Sequence, residues 1–142
     1  MAYSNLKKRI KKNEGFSISP YKDQLGNFTI GYGHLIKKKE NHFLRNSFSK
    51  KDLKNLFEND FAKATKEYNK NFSKLRLNKH EEGMLIEMIF QLGTKKVLGF
   101  KKMINSIIKK KNYLVALEMM DSRWYKQTPK RVESLIKHYL RQ

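Results

Sequence analysis

Residues 13–35 read NEGFSISPYKDQLGNFTIGYGHL, and this stretch decides the fold. Phe16 and Ile18, then Tyr21, then Phe28, Ile30 and Tyr32 fall at the alternating spacing of strands that bury one face. Between them Asp23, Gln24, Leu25, Gly26 and Asn27 make a turn, because Asp side chains start turns and Gly supplies positive φ. The expectation is a small antiparallel sheet. Such a sheet is marginal alone and must pack on a helix. The same stretch carries two carboxylates, Glu14 and Asp23, and a hydroxyl, Thr29, among the turn-formers Gly15, Pro20, Gly26, Gly31 and Gly33.

Working outward, the rest of the chain has the period of amphipathic helices. Leu6 and Ile10 lie four apart in a basic segment, which predicts a short helix over residues 4–13 with Ser4 as N-cap and a stop at Gly15. Glu14 then sits at a helix C-terminus, where the negative pole of the dipole disfavours the ionised carboxylate and pushes its pKa up. Residues 37–47 are polar, with a short helix expected around residues 41–46. Ser49 and Asp52 frame a capping box that opens a long helix, its apolar side Leu53, Leu56, Phe57, Phe61, Ala64, Tyr68 and Phe72. At roughly 22 residues it would span about 30 Å, which predicts a connector between two lobes. Asn78 and Glu81 cap a further helix, apolar nearly all round from Met84 to Leu92, as befits the centre of a helical bundle.

Met103, Ile104, Ile107 and Ile108 follow at helical spacing, and residues 113–120 read as another largely buried helix. Thr128 and Pro129 supply N-cap and first position for a last helix with Val132, Leu135, Ile136, Tyr139 and Leu140 on one face. Its charges, Lys130, Arg131, Lys137, His138 and Arg141, read as the solvated side of a packed helix. The fold class is therefore α+β. The expected layout is one domain, residues 1–142, with a small β-containing lobe at about 14–50, a connecting helix at about 50–72, and a helical lobe at about 73–142 completed by residues 1–13.

Composition narrows the function. The 142 residues hold 39% hydrophobic side chains, enough for a core, and 32 Lys+Arg against 13 Asp+Glu, a formal net charge of +19. Such a field draws the protein to polyanions. Cysteine is absent, which removes disulfides, thiolate nucleophiles and Cys-bound metals together. His34, His42, His80 and His138 show no metal-ligand spacing, so no metal or cofactor is expected. The N-terminus lacks the apolar core of a signal peptide, and no apolar run is long enough to cross a bilayer. The expectation is a protein made and folded in the cytoplasm.

Glu14 and Asp23 lie nine residues apart across a chain reversal, so they can face one another from different elements. Glycoside hydrolysis needs one protonated carboxyl to donate to the leaving oxygen and one carboxylate to activate water or attack the sugar. On spacing alone, Asp23 is equally a turn residue and Glu14 a solvated helix end. The block EGFSISPYKDQLGNFTIGYGHL nevertheless resembles the active-site signature of the phage T4-type lysozymes, a glycoside hydrolase family in which Glu, Asp and Thr recur at the spacing of Glu14, Asp23 and Thr29. Three further blocks are similar in the same order. SKKDLKNLFENDF resembles the start of the interlobe helix, EMIFQLG the buried central helix, and SRWYKQTPKR a late cleft-lining motif.

The resemblance covers about residues 6–135 and implies a lysozyme-like fold and an endolysin muramidase. Such an enzyme hydrolyses the β-1,4 bond from N-acetylmuramic acid to N-acetylglucosamine in peptidoglycan and releases phage progeny by host lysis. It implies Glu14 as general acid, Asp23 as second carboxylate and Thr29 as the hydroxyl that positions water, with inversion at the anomeric carbon. Leu35, Phe90, Gln91 and Gln127 match substrate-binding positions. His34 and Asp60 match a buried ion pair, and Arg131 a basic partner of the general acid. Met103 and Glu118 depart from the family at two further sugar-contacting positions, and Asn13 and Ser134 where a salt bridge can stand. Trp124 and Tyr125 read as core aromatics.

The resemblance also implies a monomer, made in the host cytoplasm, that reaches the wall through a holin-dependent membrane lesion. The basic surface points to anionic outer-membrane lipid or lipopolysaccharide as a further partner, and no motif points to a specific nucleic acid. The rival reading is a cationic membrane-permeabilising antibacterial protein whose hydrolase site is incidental or inactive.

Overall fold

The computed structural model describes residues 3–23 and 25–142; Gln24, placed in the turn by the sequence, lies outside them. The chain divides into two compact units, residues 1–63 and 64–142, and the division falls inside the long helix.

The first unit runs α1 (Ser4–Glu14), β1 (Ser17–Lys22), β2 (Phe28–Gly31), β3 (His34–Leu35), α2 (His42–Arg45) and the first part of α3 (Lys50–Phe72). Helix α1 starts earlier than expected. Lys7 donates its backbone N–H to the Tyr3 carbonyl at 2.9 Å, so Tyr3 holds the N-cap place, no side chain caps it, and Ser4 is already helical. Leu6 and Ile10 are buried. Lys7 Nζ reaches Glu58 Oε1 of α3 at 2.7 Å, and Lys11 Nζ lies 4.9 Å from the Phe57 ring centre and 5.3 Å from that of Tyr32. These contacts fix α1 against α3 and the turn after β2, and thereby fix Glu14.

The sheet is antiparallel in the order β1-β2-β3. Tyr21 pairs with Thr29 and Ser17 with Gly31, so a step of four residues on β1 opposes a step of two on β2. Pro20 lies in that bulge, where its missing N–H would leave a gap in the ladder anyway. The strand expected to continue through Tyr32 stops at Gly31, because Gly31 and Gly33 both take positive φ, 66° and 71°, and turn the chain into β3. Of the alternating apolar set Ile30 is buried, with Phe43 and Leu53 and against Ile36, Phe48 and Leu56. Phe16, Ile18, Tyr21 and Phe28 are exposed.

Helix α3 opens with the expected reciprocal box: Ser49 Oγ accepts from the Asp52 N–H at 3.1 Å, and the Ser49 N–H donates to Asp52 Oδ2 at 3.0 Å. Leu53, Phe57, Phe61, Ala64, Tyr68 and Phe72 are all buried along it, and Leu56 half so.

The second unit continues with α4 (Lys79–Leu92), α5 (Thr94–Leu98), α6 (Lys101–Ile108), α7 (Asn112–Met120), α8 (Arg123–Gln127) and α9 (Pro129–Tyr139). The Asn78/Glu81 box opens α4, which is buried without interruption from Gly83 to Ile89. Helices α5 and α9 pack on α4, and α7 lies against α6, α8 and α9. Thr128 does not cap α9; its hydroxyl donates instead to the Trp124 carbonyl at 3.2 Å. Val132, Leu135, Ile136 and Tyr139 are buried, so α9 is a packed helix.

The expectation of a largely buried helix at residues 113–120 is wrong. Val115, Ala116 and Met119 are buried, whereas Tyr113, Leu114, Leu117 and Met120 are 79%, 43%, 57% and 44% exposed. At 3.6 residues per turn these two sets occupy opposite sides of α7, and its neighbours cover only one of them. Among the described residues no helix is long and apolar enough to cross a membrane.

Candidate active site

Glu14 is the last residue of α1, and its carboxyl lies against the backbone of Gly33 in the β2–β3 turn. A Cβ on Gly33 would fall 2.7 Å from Glu14 Cδ and 2.8 and 3.0 Å from its two oxygens. A side chain at position 33 would push the Glu14 carboxyl out of this place, so Gly33 serves both its positive φ and the seat of that carboxyl.

Asp23 directly follows β1. Its Oδ1 accepts from the backbone N–H groups of Leu25 and Asn27, both at 2.9 Å. Its own N–H donates to the Asn27 carbonyl at 2.8 Å. The turn that the sequence predicts here thus clamps one carboxylate oxygen, while Oδ2 makes no hydrogen bond among the described residues. Thr29 is buried on β2, two positions along from Asp23 in the hairpin register, and its Oγ1 donates to the Tyr21 carbonyl at 3.3 Å. With its proton committed there, the hydroxyl oxygen keeps its lone pairs for a donor such as water. One hairpin and the helix end before it therefore supply a carboxyl against a glycine, a fixed carboxylate and an oriented hydroxyl.

His34, on β3, is brought together with Asp60 of α3: Nδ1 lies 2.7 Å from Asp60 Oδ2. A second acid, which the sequence reading missed, engages the other ring nitrogen: Glu40 Oε1 and Oε2 lie 3.2 and 3.3 Å from Nε2. Burial works to lower the His34 pKa and is the largest single influence. The hydrogen bond and charge of Asp60, joined by those of Glu40, outweigh it and raise the imidazole above its ordinary 6.5. For Glu40, burial raises the pKa, and the Lys37 backbone N–H with His34 more than reverses this, leaving it below 4.5. Its sequence signal was its being the sole acid in residues 37–47.

Leu35, beside His34, is 46% exposed. In the second unit, Phe90 and Gln91 are partly buried near the end of α4 and Gln127 is exposed at the end of α8. Gln91 Oε1 and Trp124 Nε1 are buried with no hydrogen-bond partner among the described residues. Trp124 meets Phe100 edge-on, ring centres 6.0 Å apart, and Tyr125 donates its hydroxyl to Glu133 Oε2 at 2.9 Å. Met103 is buried in α6, and Glu118 is partly buried on α7. Arg131 Nε lies 3.3 Å from Glu87 Oε2, their side chains 10% and 0% exposed. Glu87 was also missed, although it is the sole acid in the apolar run of residues 84–92 and a buried carboxylate calls for a cation.

A small three-stranded sheet carrying a carboxylate and a hydroxyl, preceded by a helix-end carboxyl and followed by a long helix and a helical unit, defines a lysozyme-like α+β hydrolase. The phage lysozyme family profile matches residues 11–141. Two relatives from Dictyostelium discoideum, probable T4-type lysozymes 1 and 2, are similar to the chain. They are 35% identical over an alignment of 156 positions and 34% over one of 157, each alignment covering 94% of this chain and 92% of the relative. The chain belongs to the phage lysozyme family and is a glycoside hydrolase, a lysozyme, with peptidoglycan as its substrate.

Proposed function

We propose that this lysozyme is an endolysin muramidase, cleaving the β-1,4 bond between N-acetylmuramic acid and N-acetylglucosamine. Protonated Glu14 donates to the glycosidic oxygen as its bond to the anomeric carbon breaks. Asp23 takes the proton of a water that Thr29 orients, and the water oxygen bonds to the opposite face of the anomeric carbon, with inversion. Leu35, Phe90, Gln91 and Gln127 bind the glycan. His34, Asp60 and Arg131 support the site. The observation that carries the reading is the Glu14 carboxyl seated against the backbone of Gly33, where a side chain at position 33 would collide with it. The biological role is release of phage progeny by an enzyme made in the host cytoplasm and let out through a membrane lesion.

The test is reducing-end analysis of muropeptides freed from purified sacculi. Wild type should expose muramic acid ends, first as the α anomer, and Glu14→Gln should expose none. New glucosamine ends, or a first-formed β anomer, would overturn the bond or the inversion. Bacterial killing that survived Glu14→Gln would transfer the role to membrane permeabilisation by the cationic surface.

A further inference from the structure

We propose that α7 and the lysines before it form a docking face for an anionic lipid bilayer, a reading that does not rest on the assignment of the hydrolytic residues. Tyr113, Leu114, Leu117 and Met120 lie on one side of α7, all exposed, and Ile108 at the end of α6 is exposed as well. Tyr113 and Leu114 line a shallow groove with Lys110, Lys111 and Asn112. A soluble helix normally shows charged residues on its outer side. This one shows an aromatic ring, two leucines and a methionine.

Charge selects the occupant. Residues 101–126 carry seven Lys or Arg against Glu118 and Asp121. Lys110 is committed to Glu81, at 2.7 and 2.9 Å, while Lys109 and Lys111 are exposed immediately before the helix. The two acids belong to the other end of α7, Glu118 partly buried and Asp121 just past the helix. A second copy of this chain would bring another net +19 against the same lysines and is disfavoured by repulsion. An anionic bilayer answers both parts of the surface. Its headgroup phosphates meet the lysines, its acyl boundary takes the leucines and methionine, and Tyr113 sits at headgroup level with its ring inward and its hydroxyl wet. Helix α9, whose apolar residues are buried, has no such side to offer.

Sedimentation with vesicles tests this, comparing mixed phosphatidylglycerol and phosphatidylethanolamine with phosphatidylcholine alone. Wild type should bind the anionic vesicles at least about tenfold more tightly, and the double variant Leu114→Gln, Leu117→Gln should lose about tenfold of that affinity. The variant should keep its thermal midpoint and its hydrolysis of soluble peptidoglycan fragments. Hydrogen exchange on the wild type gives a second measurement that needs no substitution: residues 112–120 should gain protection on anionic vesicles. Three results would overturn the proposal. They are unchanged binding by the double leucine variant, no preference for the anionic vesicles, and a concentration-dependent dimer of the wild type that the variant abolishes.

Discussion

Gly33 and Glu14 show how the place of a candidate site residue can depend on a residue with no side chain. In the sequence Gly33 is one turn-former among several; in the structure a methyl there would stand within 3.0 Å of every carboxyl atom of Glu14. Gly33→Ala should therefore do two things. The left-handed backbone should cost about 1–2 kcal/mol, and the displaced carboxyl should lower kcat by on the order of 100-fold. Gly93→Ala, at φ 85° with nothing within 4 Å of the added carbon, should show a similar loss of stability with kcat retained. Thermal melts and steady-state rates on the pair check this, and equal kcat losses would reduce the Gly33 effect to strain. Spacing and motif singled out Glu14, Asp23 and Thr29 as candidates, since both are local. What touches each of them was not legible, because residues 14 and 33 meet only after α1 has docked. Glu87 was overlooked for a related reason: apolar periodicity marks a buried helix but not the acid within it that needs Arg131. Replacing Glu87 with Leu should remove that partner from a nearly buried guanidinium at a cost of about 3 kcal/mol, measured by denaturant unfolding.

At the scale of elements, the two capping boxes were readable from three-residue spacings, yet they are energetically unequal. The Ser49/Asp52 box is exposed, so Ser49→Ala should cost about 1 kcal/mol. Glu81 is fully buried, accepting from the Asn78 N–H at 2.9 Å and from Lys110. Lys110→Ala would leave that carboxylate without its cation and should cost about 3 kcal/mol, although the lysine itself is largely exposed. Urea midpoints of the two variants separate these values. Helix α7 misled because apolar content was taken for burial, and a helix apolar on two sides needs neighbours on both. The His34 group joins β3, the turn at Glu40 and α3, and its titration has a definite sign. His34 is raised above 6.5, so its contribution is complete below pH 6.5 and is lost as pH rises through the raised value. Glu40 is lowered below 4.5, so its contribution is complete above pH 4.5 and is lost as pH falls through the lowered value. The stability difference between wild type and His34→Gln should thus peak between pH 4.5 and 6.5 and decline on both sides. A pH-independent difference in unfolding free energy would rule this out.

The whole molecule carries a charge that neither its core nor its site needs. A net +19 should repel itself and lower the stability of the compact state, and should raise the local concentration of the enzyme on an anionic wall. These two consequences respond to salt in opposite directions. Added salt should screen the self-repulsion and raise the thermal midpoint, while weakening attachment to wall fragments, because the screening length falls from about 30 Å at 0.01 M to about 8 Å at 0.15 M. Chemistry at the bond should be insensitive, since the proton moves over a single hydrogen bond between contacting groups. Binding to purified wall fragments should therefore fall by about tenfold or more across that range of ionic strength, with turnover of a short, uncharged glycan fragment unchanged over the same range. Wall binding that held constant while the midpoint rose would mean that the charge acts on the protein itself and not on its target.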